Sequence, residues 1–333
     1  MLDMQRYAVH KTAEGMAVKN GGFKMSLYCP EGTLIETEEN KNSLKSLSAI
    51  RGCIAGGKIL EALAVVCDNE HNLIVDLGCM RGVIYRSEGA IGIADGSVRD
   101  IAIISRVNKP VCFKVIDIIT DEYGKEIAVL SRRLAQEECM RQYISNLKVG
   151  DIISAKVTHL ETFGSFVDIG CGISSLIPID AASVSRISHP RDRFTVGQNI
   201  RAVVRTIDAQ NRISLTHKEL LGNWQENAAL FSAGETVAGT IRSIEEYGIF
   251  VELTPNLAGL AELKDNVKIG QQASVYIKSL IPEKMKVKLI IVDAFDAEYQ
   301  PAEYKYFLTE GHIDKWRYSP PESARIVETV FQE

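Results

Sequence analysis

An internal repeat with a period of 84 residues constrains this chain of 333 residues more than any other feature. Residues 149–170, VGDIISAKVTHLETFGSFVDIG, align with residues 233–254, AGETVAGTIRSIEEYGIFVELT. Gly150 falls on Gly234, Phe163 on Tyr247, Gly164 on Gly248, Phe166 on Phe250 and Asp168 on Glu252. A weaker copy lies 92 residues upstream, where VDLGC (75–79) matches VDIGC (167–171). Repetition on this scale implies a chain assembled from similar structural units. The chain divides into an N-terminal extension (1–47), a degenerate unit (48–131), a helical linker (132–146), a second unit (147–218), a second helical linker (219–231), a third unit (232–293) and a C-terminal extension (294–333).

Each unit reads as β-structure. Residues 152–159 and 236–244 alternate apolar and polar side chains, the period of a half-buried strand. Glycine-bounded strands follow at 165–169 and 249–253, then short ones at 174–177 and 257–261. Two longer strands close each unit, at 200–207 and 212–216 in one and 271–280 and 285–292 in the other. The turn Asp208-Ala209-Gln210-Asn211 joins the first of these pairs. Five strands in so short a segment favour a closed barrel, because closure removes exposed edges. No βαβ alternation occurs, which excludes a parallel α/β sheet. Asn223 with Glu226 has the spacing of a capping box and starts a helix in the second linker. The expected class is therefore all-β, with tandem five-stranded barrels joined by short helical linkers.

The extensions differ from the units. Residues 1–47 read as partly loose, with one extended piece near 22–29. Residues 294–333 hold eight of the 23 aromatics and a net charge of 4 minus 8, or -4. Segments 304–309 and 312–318 flank Glu310-Gly311 and read as a hairpin packed on the third barrel, with an additional base-stacking surface as the alternative.

Chemistry points to the second unit. Phe163 and Phe166 stand three apart across a glycine turn, where two rings can share one barrel face; aromatics in β-barrels are commonly core, but flat π-surfaces are also what unstacked bases need, and basic neighbours favour that reading. The stretch 147–222 carries nine Lys and Arg against seven acids, a net +2, in a chain whose overall balance is 38 minus 43. Lys156, Arg205 and Arg212 can meet phosphates, and Asp208 can orient Arg212 or cap its own turn. Asp168 and Glu252 read as surface partners on the second strand of their units. Cys79 and Cys171 read as small packing residues at barrel turns. Seven cysteines without a CxxC pair argue against a disulfide frame or a zinc site. No P-loop, GxSxG, HExxH or GxGxxG motif occurs, and the six histidines have no ligand-like spacing. No enzyme, metal, cofactor or small-molecule substrate is expected. No apolar run is long enough to cross a bilayer, and the first residues lack an apolar signal core, so a cytoplasmic protein is expected.

Residues 149–180 and 193–220, with their glycine-aromatic turn and late Asp-x-x-x-Arg-Ile-x-Leu pattern, resemble the S-one RNA-binding domain, the repeat of the large bacterial small-subunit ribosomal protein. Residues 233–263 resemble it too, and the first unit is a degenerate relative. The resemblance implies OB-fold barrels that bind single-stranded RNA with little sequence preference, in messenger-RNA binding at the small ribosomal subunit. It implies that Phe163 and Phe166 take the two aromatic places, and Asp208 and Arg212 the later pair. Pro178 stands at the family's histidine place. In the third unit Tyr247 and Phe250 match the aromatics, Lys286 replaces the arginine, Ile281 the aspartate and Glu262 the histidine, so weaker binding is expected there. In the first unit His71 and Ile74 occupy the aromatic places and Tyr85 lies near the histidine place, which suits a protein-docking module. A reading of a different class is a protein-interaction scaffold, or a regulatory or RNA-decay accessory factor.

Overall fold

The computed structural model describes residues 28–121, 123–297 and 304–332. A strap of irregular backbone leads into two helices, α1 (Glu38–Leu44) and α2 (Leu47–Gly56). The first barrel follows, with β1 (Leu60–Cys67), β2 (Leu73–Asp76), β3 (Arg81–Ile84), a one-turn helix α3 (Ile101–Ile104), β4 (Lys109–Thr120) and β5 (Glu126–Ser131). Helix α4 (Arg132–Gln142) and a 3-10 turn connect it to the second barrel, formed by β6 (Ile152–Glu161), β7 (Gly164–Asp168), β8 (Ser174–Pro178), β9 (Asn199–Ile207) and β10 (Ile213–Thr216). A 3-10 turn and α5 (Trp224–Ala228) lead to the third, formed by β11 (Thr236–Glu245), β12 (Gly248–Thr254), β13 (Leu257–Ala261), β14 (Gln272–Ile281) and β15 (Lys286–Phe295). The tail adds a small pair, β16 (Lys315–Arg317) with β17 (Glu328–Val330).

All three barrels are closed and share one strand order. The first three strands form an antiparallel meander, and the third pairs in parallel with the fifth to complete the ring: β1-β2-β3-β5-β4, and likewise in the other two. The fold is all-β in architecture with OB-type five-stranded barrels. Strand alternation builds each core: on β6, Ile153, Ala155 and Val157 point inward. The repeated turn glycines have a steric cause. A Cβ on Gly164 would lie 2.5 Å from the carbonyl oxygen of Ile177, and one on Gly248 2.5 Å from that of Ala261.

Two sequence expectations need correction. The polar stretch near 36–44 is not loose: Thr37 accepts from the Asn40 amide and caps α1. The piece expected near 22–29 lies almost wholly outside the described residues. The tail is no hairpin about Glu310-Gly311. Its strands pair 315–317 with 328–330, His312 forms an antiparallel bridge with Asp151, and it packs on two barrels rather than one. Residues 304–307 cover barrel 2, where the Tyr304 ring lies 4.7 Å from that of His217 and the Tyr306 hydroxyl lies 3.1 Å from His217 Nε2. Ile313, Trp316, Tyr318 and Phe331 join the core of barrel 3. Backbone bonds from Ile313 to Gly150 and from Ile152 to Gly311 stitch the tail onto β6.

Asp168 and Glu252 are likewise not surface groups. Both are buried, each at the root of one junction between barrels. Asp168 accepts from the amides of Glu31 (2.7 Å), Gly170 (2.8 Å) and Gly172 (3.0 Å). The Glu31 carboxylate in turn takes a bidentate bond from Arg132 of α4 (2.7 and 3.1 Å) and one from Arg106 (3.2 Å). Strap, barrel 1, α4 and barrel 2 thus meet at one ionic knot. At the second junction, Arg193 of barrel 2 binds Glu252 of barrel 3, which also holds Arg242 at 2.9 Å. Asn256 seals that seam, taking the Val184 amide at 2.9 Å and donating to the carbonyls of Lys218 and Gly222.

Candidate nucleic-acid interface

The hairpin of β6 and β7 turns on Thr162 and Phe163, and this tight turn fixes the register: Glu161 opposite Gly164, Leu160 opposite Ser165, His159 opposite Phe166. Pairing then runs from Phe166 to Leu176 on β8, on to Ser214 on β10 and to Thr206 on β9. These residues form one outward-facing row around the barrel. A β-bulge at Thr158 on β6 and another at Arg205 on β9 interrupt the ladders beside this row, and bulges re-aim neighbouring side chains.

Three rings sit at one end of the row. Phe163 is 55% exposed, and Phe166 is half-buried beside it. Their centroids are 5.9 Å apart with planes at 89°. On the other side of Phe166, the His159 imidazole lies at 6.4 Å and 29°, nearly parallel. His159 is exposed and its Nε2 lies 2.6 Å from Glu161.

Arg212 stands two residues before Ser214, and strand alternation puts it on the same side. Its side chain is 78% exposed, and its Nε donates to Asp208 Oδ2 at 2.7 Å. Asp208 also accepts the amides of Gln210 and Arg212, each at 2.9 Å. Those amides and the guanidinium hold its carboxyl below the ordinary range. Asp208 therefore caps the turn and orients Arg212 at once.

Not every cation faces this row. Lys156 donates its ammonium to the Glu31 carbonyl at 3.0 Å, so the strap claims it. Arg193, counted in the positive balance of the unit, is fully buried against Glu252. Pro178, at the place of the expected histidine, ends β8 opposite Gly164. His159 was missed because the histidine was sought on the third strand. The signal for it was the two-residue turn, which by itself places position 159 against 166.

Barrel 3 repeats the arrangement. Its row runs Ser243, Phe250, Leu260, Lys288 and Ser279. Tyr247 is 70% exposed, and its ring lies 6.1 Å from Phe250 at 89°. Lys278 occupies the β14 bulge as Arg205 occupies that of β9, and Lys286 stands two residues before Lys288. Neither Lys278 nor Lys288 was singled out from sequence. Glu262 is exposed beyond the end of β13, and Ile281 faces Lys286 across the hairpin. In barrel 1, His71 lies in the β1–β2 turn with its ring nitrogen 3.4 Å from Asp100, Tyr85 is exposed after β3, and Ile74 replaces the ring on the row.

The rest of the surface offers little competing chemistry. Among the described residues no cluster of His, Cys, Asp and Glu could hold a metal ion, and no helix is long and apolar enough to cross a membrane. Cys171 is buried, as a packing residue should be, whereas Cys79 is exposed.

Residues 146–218 match the family described as S1 RNA binding domain. The small ribosomal subunit protein bS1 of Leuconostoc lactis is 28% identical over 282 residues, which is 83% of this chain and 60% of that protein. The bS1 homolog of Bacillus subtilis is 31% identical over 189 residues, 54% of this chain and 48% of the relative. The bS1 protein of Staphylococcus aureus strain COL is 26% identical over 276 residues, 78% and 68% of the two chains. The chain thus spans only about half to two thirds of the length of these relatives. Residues 146–218 are thus similar to the S1 RNA binding domain, in a chain of three OB-type barrels that is similar in sequence to bacterial ribosomal protein bS1.

Proposed function

We propose that this chain binds single-stranded RNA along the outward rows of barrels 2 and 3. Bases stack on Phe163 and Phe166, with His159 extending the platform, and on Tyr247 and Phe250. Arg205 and Arg212 meet phosphates beside the first platform; Lys278, Lys286 and Lys288 do so beside the second. Rings accept any base, so sequence preference is slight. The observation that carries the reading is the same ring pair, one ring exposed and one half-buried, at 5.9 and 6.1 Å and 89° in both cases, in two consecutive barrels with cations on or just before the two closing strands of each. Similarity to bS1 supports a place at the small ribosomal subunit, holding messenger RNA during translation in the cytoplasm.

The ionic and hydrogen-bonded seam between barrels 2 and 3 gives the reading a further property. Two platforms held in fixed relation bind one strand with high effective concentration. Fluorescence anisotropy with labelled polyuridine against duplex RNA tests the proposal. The single strand binds preferentially, and log K falls with log salt at a slope near -0.7 for each neutralised phosphate. Equal affinity for duplex, or no binding, overturns it.

A further inference from the structure

The row that carries rings and cations in barrels 2 and 3 is aliphatic at four of its five positions in barrel 1, the fifth being Asp117. Sheet register places Val66, Ile74, Val83 and Val129 where His159, Phe166, Leu176 and Ser214 stand. The bulge residue of β4 is Ile116, in the place of Arg205 and Lys278. Ile127, two residues before Val129, takes the place of Arg212 and Lys286. Val66 is 51% exposed and Ile116 40%, and none of the six belongs to the core of the barrel.

An outward sheet face bathed in water carries the polar half of each strand's alternation; six aliphatic side chains on one such face mark an interaction surface. The row itself holds no ring: His71 lies in the β1–β2 turn beside Asp100 at 3.4 Å, and Tyr85 stands beyond β3, so the Phe163–Phe166 type of ring pair is not reproduced among the described residues. The barrel is closed, so a partner cannot add a strand to an edge and must lie across the row. The rim selects the partner. Asp117 adjoins Val129 in the row, Asp121 caps the β4–β5 turn, and Asp68 and Glu70 occupy the β1–β2 turn. Against these acids stand Arg81 and Lys125. A two-fold contact with a second copy would set this acidic rim against itself. A helix with one apolar stripe and cationic flanks satisfies both the face and the rim.

We propose that barrel 1 docks a Lys/Arg-rich amphipathic helix of a protein partner on the Val66–Ile74–Val83–Val129 face, leaving RNA to the other two barrels. The test uses the full chain and a fluorescein-labelled helical peptide of leucine and lysine, about 18 residues or five turns long, with leucines at three- and four-residue spacing. Its counterpart with glutamate for lysine is the control. Val66→Asp and Ile116→Asp change exposed side chains, and near-ultraviolet circular dichroism confirms that each variant is folded. The lysine peptide binds saturably, each substitution weakens it by roughly tenfold or more, and the glutamate peptide does not bind. Polyuridine affinity, measured in parallel, is unchanged in both variants, so failure of the docking proposal and failure of the RNA reading are separable. Peptide binding unaffected by either substitution overturns the proposal. So does a parent dimer that Val66→Asp splits in sedimentation, which assigns the face to a second copy. A comparable loss of polyuridine affinity overturns it as well, and assigns the face to RNA.

Discussion

Asp168 and Glu252 occupy the same position in consecutive barrels, 84 residues apart, and each is the buried acid at the root of an inter-barrel junction. Asp168 holds the strap and Glu252 holds barrel 2 through Arg193. Removing the carboxylate of Glu252 leaves the Arg193 guanidinium buried without its counter-charge, while Arg242 keeps only Asp192 at 3.4 Å. Glu252→Ala should therefore destabilise the chain by about 3–5 kcal/mol in urea unfolding. A change below about 1 kcal/mol would mean that the seam is solvated and loose.

Phe166 and Phe250 point outward on their rows, so truncation should spare the fold and affect binding. Phe166→Ala is expected to weaken single-strand binding by roughly 1–3 kcal/mol, and Phe250→Ala by a similar amount. Unfolding of either variant would show that the ring supports the core instead. Lys288→Ala is expected to flatten the salt dependence of binding by about one phosphate, a slope change near 0.7.

His217 gives the chain an acid sensitivity. Burial pushes its imidazole down to about 4, so it is neutral when folded. The bonding network assigns Nδ1–H to the Ala182 carbonyl and leaves Nε2 to accept from the Tyr306 hydroxyl. Its folded value is depressed relative to about 6.5 when unfolded, so the stability it contributes is complete above about 6.5 and is lost as pH falls toward 4. The loss amounts to roughly 3 kcal/mol over that window. Urea midpoints at neutral and acid pH measure it, and His217→Gln should remove most of the difference.

His312 responds in the opposite sense. Its hydrogen bond with Asp151, at 2.7 Å, raises the imidazole above its ordinary value. Its contribution is present below about 6.5 and fades as pH rises through the raised value. The side chain is partly open to solvent, so the effect is local to the attachment of the tail on β6. A histidine titration by nuclear magnetic resonance should show a lower value in Asp151→Asn, with Asp314 at 3.4 Å retaining part of the rise. No change would mean that the ion pair does not form in solution.

Deletion of residues 304–333 should lower the stability of barrels 2 and 3 together and leave barrel 1 unaffected. The reason is that Tyr304 and Tyr306 cap His217 in one barrel while Trp316 and Tyr318 fill the other. Hydrogen exchange resolved by barrel would report this. Loss confined to barrel 3 would contradict the two-barrel packing.

The repeat and the strand alternation made the barrels legible, because a period of two and a glycine forced by a nearby carbonyl are both local signals. The ring pair at Phe163 and Phe166 was legible for the same reason. Its histidine neighbour was not, since His159 reaches Phe166 through hairpin register rather than through sequence proximity. The burial of Asp168, Glu252 and Arg193 was also hidden. An acid beside a glycine turn looks like a surface residue until a second barrel is packed against it, and that packing is set by contacts across the chain. Aromatic content marked the tail as a docked element, but could not reveal that its rings divide between two barrels. The apolar row of barrel 1 was visible only as missing rings; register was needed to show that Val and Ile fill four of its five positions.

Photo-crosslinking of 4-thiouridine-substituted polyuridine to the full chain, with the attached peptides identified by mass spectrometry, tests the central claim most directly. Adducts are expected on the segments that carry Phe163 and Phe166 and on those that carry Tyr247 and Phe250, with barrel 1 unlabelled. Adducts concentrated on barrel 1 or the tail, with both ring pairs untouched, would contradict the account.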